Sequence, residues 1–154
     1  GEDVELSLRL QKAGAISRFI AEAHVFHKRR ATLKQFRRQV FRFGAARPLL
    51  ARAHPGNLKV THLFPLVFTL YRHLTAILAV LGIFYFHNSL FAMPFALYVF
   101  YMTAVFFTAL RQEGLVVAIR AVQTTNTMNE GYGIGFLRNF IEVYLKGNPK
   151  GIKL

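Results

Sequence analysis

Two apolar runs, LFPLVFTLYRHLTAILAVLGIFYF at residues 63–86 and LFAMPFALYVFYMTAVFFTAL at residues 90–110, decide the fold that the sequence predicts. A helix over the first run would be roughly 36 Å long, which is enough to span a hydrocarbon core with some tilt. The second run carries no charge. We therefore predict a transmembrane helical hairpin, 63–86 and 90–110, that turns at HNS 87–89. The alternative is a buried helical pair in a soluble protein.

Arg72 is the one basic residue of the hairpin, and it lies beside His73. A charge inside an apolar span is costly, so we expect the Arg72 side chain either to extend toward the nearer interface or to face protein. Contact with a lipid phosphate is a further interpretation for this residue.

The segments that flank the hairpin are strongly basic. The chain has 154 residues and a formal net charge of +13, yet 53% of its residues are hydrophobic. Basic and apolar residues therefore occupy separate blocks, which is unusual for a soluble domain. Both outer flanks carry Lys and Arg and the HNS turn carries none, so the positive-inside rule predicts a multi-pass protein of the inner (cytoplasmic) membrane with both termini in the cytoplasm.

The residues before the hairpin alternate between helical and strand-like patterns. GEDVELSLRLQKAG at 1–14 predicts a helix, with acids at its start and Gly14 as its stop. ISRFIAEAHVFH at 16–27 is rich in β-branched and aromatic residues and predicts one or two short strands. TLKQ at 32–35 reads as a capping box. It opens a basic amphipathic helix that Pro48 bends or ends, lying either at a membrane interface or as a solvated face over a protein core.

The residues after the hairpin are too polar to predict a third span. RQEGLVVAIRAVQTTNTMNEG at 111–131 is expected to lie along the surface. The three alternate glycines of GYGIG at 131–135 do not match a dinucleotide-binding fingerprint, so we interpret them as turns.

Several residues are candidates for chemistry. Glu2 and Asp3 are adjacent carboxylates at a helix start, where one of them could act as a general base, or both could simply cap the helix. Gln39 and Arg42 are three residues apart and share a helix face, which Phe43 extends. That face can present an amide and a guanidinium to a sugar or a diphosphate. The cluster Lys28, Arg29 and Arg30 favours phosphate or anionic-lipid contact.

The histidines follow no metal-ligand spacing and cysteine is absent, so no metal site is predicted in this chain. Nucleic-acid binding is disfavoured, because the basic residues abut the hairpin and form no recognised reading motif.

The order of these pieces resembles the C-terminal half of membrane-bound family 2 glycosyltransferases. The resemblance covers GEDVELSLRLQKAG, then AEAHVFHKRRATLKQFRRQVFRFG, then two membrane segments. It implies that Asp3, with Glu2 as its neighbour, is the base that deprotonates the acceptor hydroxyl. It also implies that Gln39, Arg42 and Phe43 correspond to the family's Q-x-x-R-W motif, with Phe in place of Trp.

The resemblance further implies a nucleotide-sugar donor, a lipid-linked or polysaccharide acceptor, and a divalent metal, Mg or Mn, held by a D-x-D motif. This chain contains no D-x-D, so the donor half and the metal ligands are expected to precede Gly1, and the chain alone is not expected to be active.

The implied fold is a mainly α membrane protein with amphipathic interfacial helices and an N-terminal α/β remnant of a GT-A domain. The corresponding domains are 1–31 for the remnant, 32–62 for the interfacial helix and linker, 63–110 for the hairpin and 111–154 for a cytoplasmic helix and tail. The competing interpretation is a non-enzymatic basic membrane module that binds anionic lipid or a partner protein.

Overall fold

The protein is an assembly of five α-helices in its computed structural model, which describes residues 2–26 and 32–148 and, of Glu2, only the backbone. It is 79% helical, and no strand occurs within these ranges. Short 3₁₀ turns precede the third and fourth helices, and a π-helical segment, Ile141–Leu145, follows the fifth. The helices are α1 Glu2–Lys12, α2 Leu33–Ala53, α3 Phe64–Phe84, α4 Met93–Glu113 and α5 Leu115–Phe140.

The predicted N-terminal helix is confirmed, but the predicted α/β remnant is wrong. Helix α1 ends before Gly14, whose φ of 81° and whose N–H bond to the Gln11 carbonyl, at 3.0 Å, close the last turn. Residues 16–26 then run without regular structure, and Phe19 and Phe26 are 95% and 99% exposed. Their β-branched and aromatic composition predicted strands, but a strand needs a neighbouring backbone to pair with, and this segment has none among the described residues.

Helix α2 begins where the capping box predicted. The Thr32 hydroxyl accepts a hydrogen bond from the Gln35 N–H at 3.2 Å. Helix α2 does not end at Pro48, because the fully buried proline lies inside the helix, which continues to Ala53. Tight packing of this part of α2 against α5 outweighs the backbone hydrogen bond that a proline removes.

The interpretation of GYGIG as turns is also wrong, because these residues lie inside the 26-residue helix α5. At 3.6 residues per turn, Gly131 and Gly135 share one face and Gly133 points to the opposite side. A Cβ at Gly135 would collide with the Phe41 carbonyl of α2, and one at Gly133 would lie 2.9 Å from the Pro65 carbonyl of α3. The alternate glycines therefore let α5 fit between two helices, which periodicity alone did not reveal.

Helices α3 and α4 form the predicted hairpin with shifted ends. The connection contains His87 at φ 50° and a 3₁₀ turn, Ser89–Ala92, capped by the Asn88 side chain, which accepts the Leu90 N–H at 3.0 Å. Both helices are long and apolar enough to cross a membrane, by length and composition. Only 22% of the most apolar stretch of Phe64–Phe84 and 6% of that of Ser89–Glu113 is buried, so most of the apolar side chains of the hairpin face outward.

We predict that Gly44→Ala and Gly135→Ala each lower folding stability by about 1–3 kcal/mol, because each new methyl group meets a backbone carbonyl of the facing helix. In a helix with open space around the glycine, the same substitution raises folding stability by about 1 kcal/mol. The sign of the stability change therefore distinguishes a close helix–helix contact from open space. Thermal unfolding in detergent measures the effect, with Ala53→Ser on the exposed end of α2 as control. An unchanged or raised midpoint in both glycine variants would show that α2 and α5 do not touch in this way.

Candidate functional site

Helix α2 carries the Gln39, Arg42 and Phe43 group on one side of its middle turns. Gln39 is half-buried, Arg42 is exposed and Phe43 is 48% exposed. The helix leaves these three accessible because its other face is occupied: Val40 and Gly44 are buried against α5. An exposed aromatic ring beside a guanidinium and an amide can stack on a sugar ring and hydrogen-bond its hydroxyl groups or a phosphate.

Asp3 lies in the first turn of α1, away from that group. Its side chain is exposed, and its carbonyl accepts the Ser7 hydroxyl at 2.7 Å. Its carboxylate takes part in none of the ion pairs found among the described residues. An exposed carboxylate in that position can accept a proton from a bound hydroxyl group.

Helix α1 is joined to the far end of α2 by His54. Lys12 Nζ donates to His54 Nδ1 at 3.0 Å, and Glu5 Oε1 lies 3.7 Å from His54 Nε2. His54 itself is buried. Because His54 follows Arg42 by twelve residues, the two are separated by about 18 Å along the helix. Helix α1 therefore meets α2 at His54, whereas the Gln39 group lies in the middle turns of α2. Among the described residues, no hydrogen bond or ion pair links Asp3 to Gln39, Arg42 or Phe43.

The remaining predicted site residues cannot be placed. Lys28, Arg29 and Arg30 lie outside the described residues, and so does the side chain of Glu2.

Arg72 faces protein, the second of the two orientations expected for it. Its Nη2 donates to Glu130 Oε2 at 2.8 Å, and its Nη1 donates to Asn126 Oδ1 at 3.1 Å. The Tyr98 hydroxyl donates to the same amide oxygen at 2.8 Å. The Arg72 side chain is 19% exposed, so the charge is compensated by α5 inside the apolar hairpin.

Glu130 also approaches α2. Its second oxygen, Oε1, lies 3.9 Å from Arg37 Nη2, and Arg37 precedes Gln39 by two residues. Sequence reasoning missed this connection because α5 was interpreted as surface helix and turns. The available signal was the spacing of Asn126 and Glu130, which lie one helical turn apart, together with the unpaired charge of Arg72.

A basic group lies where α2 meets the start of α3. Partial burial, and then the positive charges of Arg47 and Lys59, hold the pKa of His62 below its ordinary value of 6.5. Burial raises the pKa of Tyr132 on α5, and a hydrogen bond and charge from Arg47 act in the opposite direction. None of the ion pairs of the described residues involves these basic side chains.

Two open apolar grooves run along α4, and neither reaches Asp3 or the Gln39 group. They are lined by α4 side chains between Tyr98 and Gln112 and by Ala121 and Val122 of α5. Within the described part of the chain, no three His, Asp or Glu side chains come together to hold a metal ion. The expected Mg or Mn is therefore assigned no ligand here, and it remains a prediction.

We predict that folding stability decreases as the pH falls below about 6.5. Because the folded state holds the pKa of His62 below that of the unfolded chain, the unfolded state binds more protons in this window, and stability is lost on acidification. The variant His62→Gln is expected to lose less stability than the wild type between about pH 7.5 and 5.5. Thermal unfolding at each pH measures it, and His24→Gln on the irregular segment is the matched control. Equal losses in the wild type and His62→Gln would contradict the prediction.

Comparison with known protein families gives a match that covers more than half of the chain. Residues 1–110 match the family described as "Glycosyl transferase family group 2". The match covers α1 to α3 and α4 as far as residue 110, and so includes Asp3, Gln39, Arg42 and Phe43. No curated protein and no solved structure matches the chain.

Proposed function

The chain belongs to the glycosyl transferase family group 2, and on that premise we propose that it forms the acceptor-side and membrane-anchoring part of an inverting glycosyltransferase. The family acts in glycosyl transfer, with a nucleotide sugar as donor and a second molecule as acceptor. The observation that carries the proposal is that the family match spans both Asp3 and the Gln39 group. The same match favours a transferase over a non-enzymatic lipid-binding module.

Asp3 is proposed as the general base. Its carboxylate removes the proton of the acceptor hydroxyl, and the resulting oxygen attacks the anomeric carbon of the donor sugar. The bond between that carbon and the diphosphate breaks, and its electron pair leaves with the diphosphate. Asp3 is the one aspartate of the chain, and it is exposed at the start of α1.

Gln39, Arg42 and Phe43 are proposed to hold the acceptor. The exposed Phe43 ring offers a stacking surface, and Arg42 and Gln39 offer hydrogen-bond donors on the same side of α2. The distance of about 18 Å between Arg42 and the end of α2 against which α1 lies favours an extended acceptor, such as a lipid-linked or growing glycan.

The membrane attachment is proposed to be the hairpin α3 and α4. Leu74 and Phe100 are 63% and 75% exposed, and such side chains lie along both helices. Exposed apolar side chains along two whole helices are uncommon on a soluble monomer, and a lipid bilayer would cover them without further protein. The basic flanks support a cytoplasmic position for both termini, at the inner membrane.

We predict that Asp3→Asn abolishes sugar transfer in the full-length protein, with a fall in kcat of at least about 100-fold, because the amide cannot accept the hydroxyl proton. Binding of donor and acceptor is expected to remain near wild type. A sugar-transfer assay on purified, membrane-reconstituted protein measures kcat and both KM values.

The matched control is Glu22→Gln, which removes one exposed carboxylate from the irregular segment. It is expected to keep wild-type kcat. Turnover by Asp3→Asn within a few-fold of wild type would remove Asp3 from the role of base.

We predict that the exposed apolar faces of α3 and α4 are covered by lipid. The chain contains no cysteine, so Leu74→Cys, Phe100→Cys and His87→Cys each give a single labelling site. In permeabilised membranes, a charged maleimide should label the exposed turn at His87→Cys and spare the other two. All three should be labelled after solubilisation and denaturation. Equal labelling of Leu74→Cys and His87→Cys in intact membranes would argue that α3 is not embedded.

A further inference from the structure

We propose that Glu130 is a positioning residue: it holds the acceptor-binding helix α2 at a fixed place relative to the hairpin, through simultaneous contacts with Arg72 and Arg37. The inference rests on the proposed function in one respect, namely that Gln39, Arg42 and Phe43 bind the acceptor. The contacts that carry it are in the structure whatever the acceptor is.

The first contact ties α5 to the hairpin. Arg72 of α3 donates to Glu130 Oε2 at 2.8 Å, and the neighbouring Asn126 accepts from both Arg72, at 3.1 Å, and Tyr98 of α4, at 2.8 Å. The Asn126 amide nitrogen in turn donates to the Val122 carbonyl at 3.0 Å, which fixes the orientation of the amide. Helices α3, α4 and α5 therefore meet at one network of hydrogen bonds.

The second contact ties α5 to α2 next to Gln39, Arg42 and Phe43, the residues proposed to bind the acceptor. Glu130 Oε1 lies 3.9 Å from Arg37 Nη2. A Cβ on Gly131 would lie 3.3 Å from the Arg37 carbonyl and 2.7 Å from Val40 Cγ2, so the two backbones are close at this point. Gln39 lies between Arg37 and Val40 in the sequence, and a shift of Arg37 would move it.

Among the residues that the structure describes, Glu130 is the one acid that pairs with both Arg72 and Arg37. Each carboxylate oxygen faces a different helix, α3 on one side and α2 on the other. Its side chain is 32% exposed and that of Arg72 is 19% exposed, so the pair is partly withdrawn from water. Removal of the charge would leave Arg72 uncompensated in the hairpin, which is the larger effect because Arg72 is partly buried. It would also remove the longer contact with Arg37, whose side chain is 63% exposed and contributes less.

A distance measurement tests the positioning directly. Spin labels on Arg38→Cys of α2 and Leu70→Cys of α3, both exposed, report the separation of the two helices in the reconstituted full-length protein. We expect a single narrow distribution with Glu130 and a shifted or broadened one with Glu130→Gln. Glu142→Gln is the matched control, because Glu142 contacts Lys146 of its own segment at 2.8 Å. An unchanged distribution in Glu130→Gln would overturn the proposal.

Kinetics test the consequence for the reaction. Glu130→Gln is expected to raise the acceptor KM by about tenfold, equivalent to about 1.4 kcal/mol, while kcat and the donor KM stay within about twofold. Glu130→Asp, which keeps the charge, should recover part of the acceptor KM. Glu130→Gln with a wild-type acceptor KM, in an enzyme where Arg42→Gln raises it, would overturn the positioning role.

The Arg42→Gln variant separates this inference from the proposed function. If it leaves the acceptor KM at the wild-type value, the proposed acceptor site fails. The distance measurement then still decides whether Glu130 positions α2, since it does not depend on the acceptor.

A charge exchange separates positioning of α2 from simple attachment of α5 to α3. The double variant Arg72→Glu with Glu130→Arg restores the pair inside the hairpin, but it sets Arg37 against a like charge. We expect thermal stability to recover and the acceptor KM to stay raised until Arg37→Glu is added. Full recovery of the acceptor KM in the double variant would show that the contact with Arg37 has no part in positioning.

Discussion

The close approach of the α2 and α5 backbones is the constraint on which the rest of the structure depends. Gly44 lies against the Tyr132 carbonyl and Gly135 against the Phe41 carbonyl, so a methyl group at either glycine would separate the helices. The Asn139 amide then donates to the Ala45 carbonyl from a fully buried position. Buried side chains such as Val40, Leu50 and Phe136 pack beside these contacts, but the closest approaches involve main-chain carbonyls.

Helix α5 packs against α2, α3 and α4. Its Gly131 and Gly135 face α2, its Gly133 faces the start of α3, and its Asn126 contacts Tyr98 of α4. Helices α3 and α4 also contact each other directly: the Tyr71 hydroxyl donates to the Pro94 carbonyl, and the Phe68 ring packs against Tyr98 and Tyr101. At their connection, a Cβ at Gly82 would collide with Phe91 of the 3₁₀ turn. The position of the basic helix α2 relative to the hairpin is therefore transmitted mainly through α5, which makes the charge of Glu130 a sensitive point in an otherwise apolar arrangement.

The sequence predicted what depends on local pattern and missed what depends on tertiary partners. The caps at Thr32 and Gly14 and the apolar length of the hairpin are local signals, and the structure confirms them. The glycines of 131–135 were interpreted as turns because glycine is a poor helix former in isolation. In this protein the low helix propensity of these glycines is outweighed by their packing against α2 and α3. No sequence pattern within α5 identifies the helices against which it packs.

The prediction of strands failed over residues 16–26 because a partner that the pattern presupposed is missing from the described chain. For the glycines of α5, by contrast, a partner that the pattern did not reveal is present. Phe19 and Phe26 have high strand propensity, but propensity for strands measures packing on a sheet, and the described chain contains no sheet to receive them. The candidate site was predictable only as residue types: the sequence singled out Asp3, Gln39 and Arg42, while their separation depends on where α1 meets α2. That junction is His54, which no motif marked.

The role of α2 follows from these contacts rather than from its sequence motif. It is fixed by α5 along its middle and meets α1 at His54, between Lys12 and Glu5. Because α2 is a continuous helix, the separation between His54, where α1 meets it, and Arg42 is set by the helical rise and not by loop conformation. Buried Pro48, which lies between them, does not interrupt the helix. A molecule that contacts α2 both at His54 and at Arg42 must then match the length that α2 imposes, and α5 determines where α2 lies relative to the hairpin.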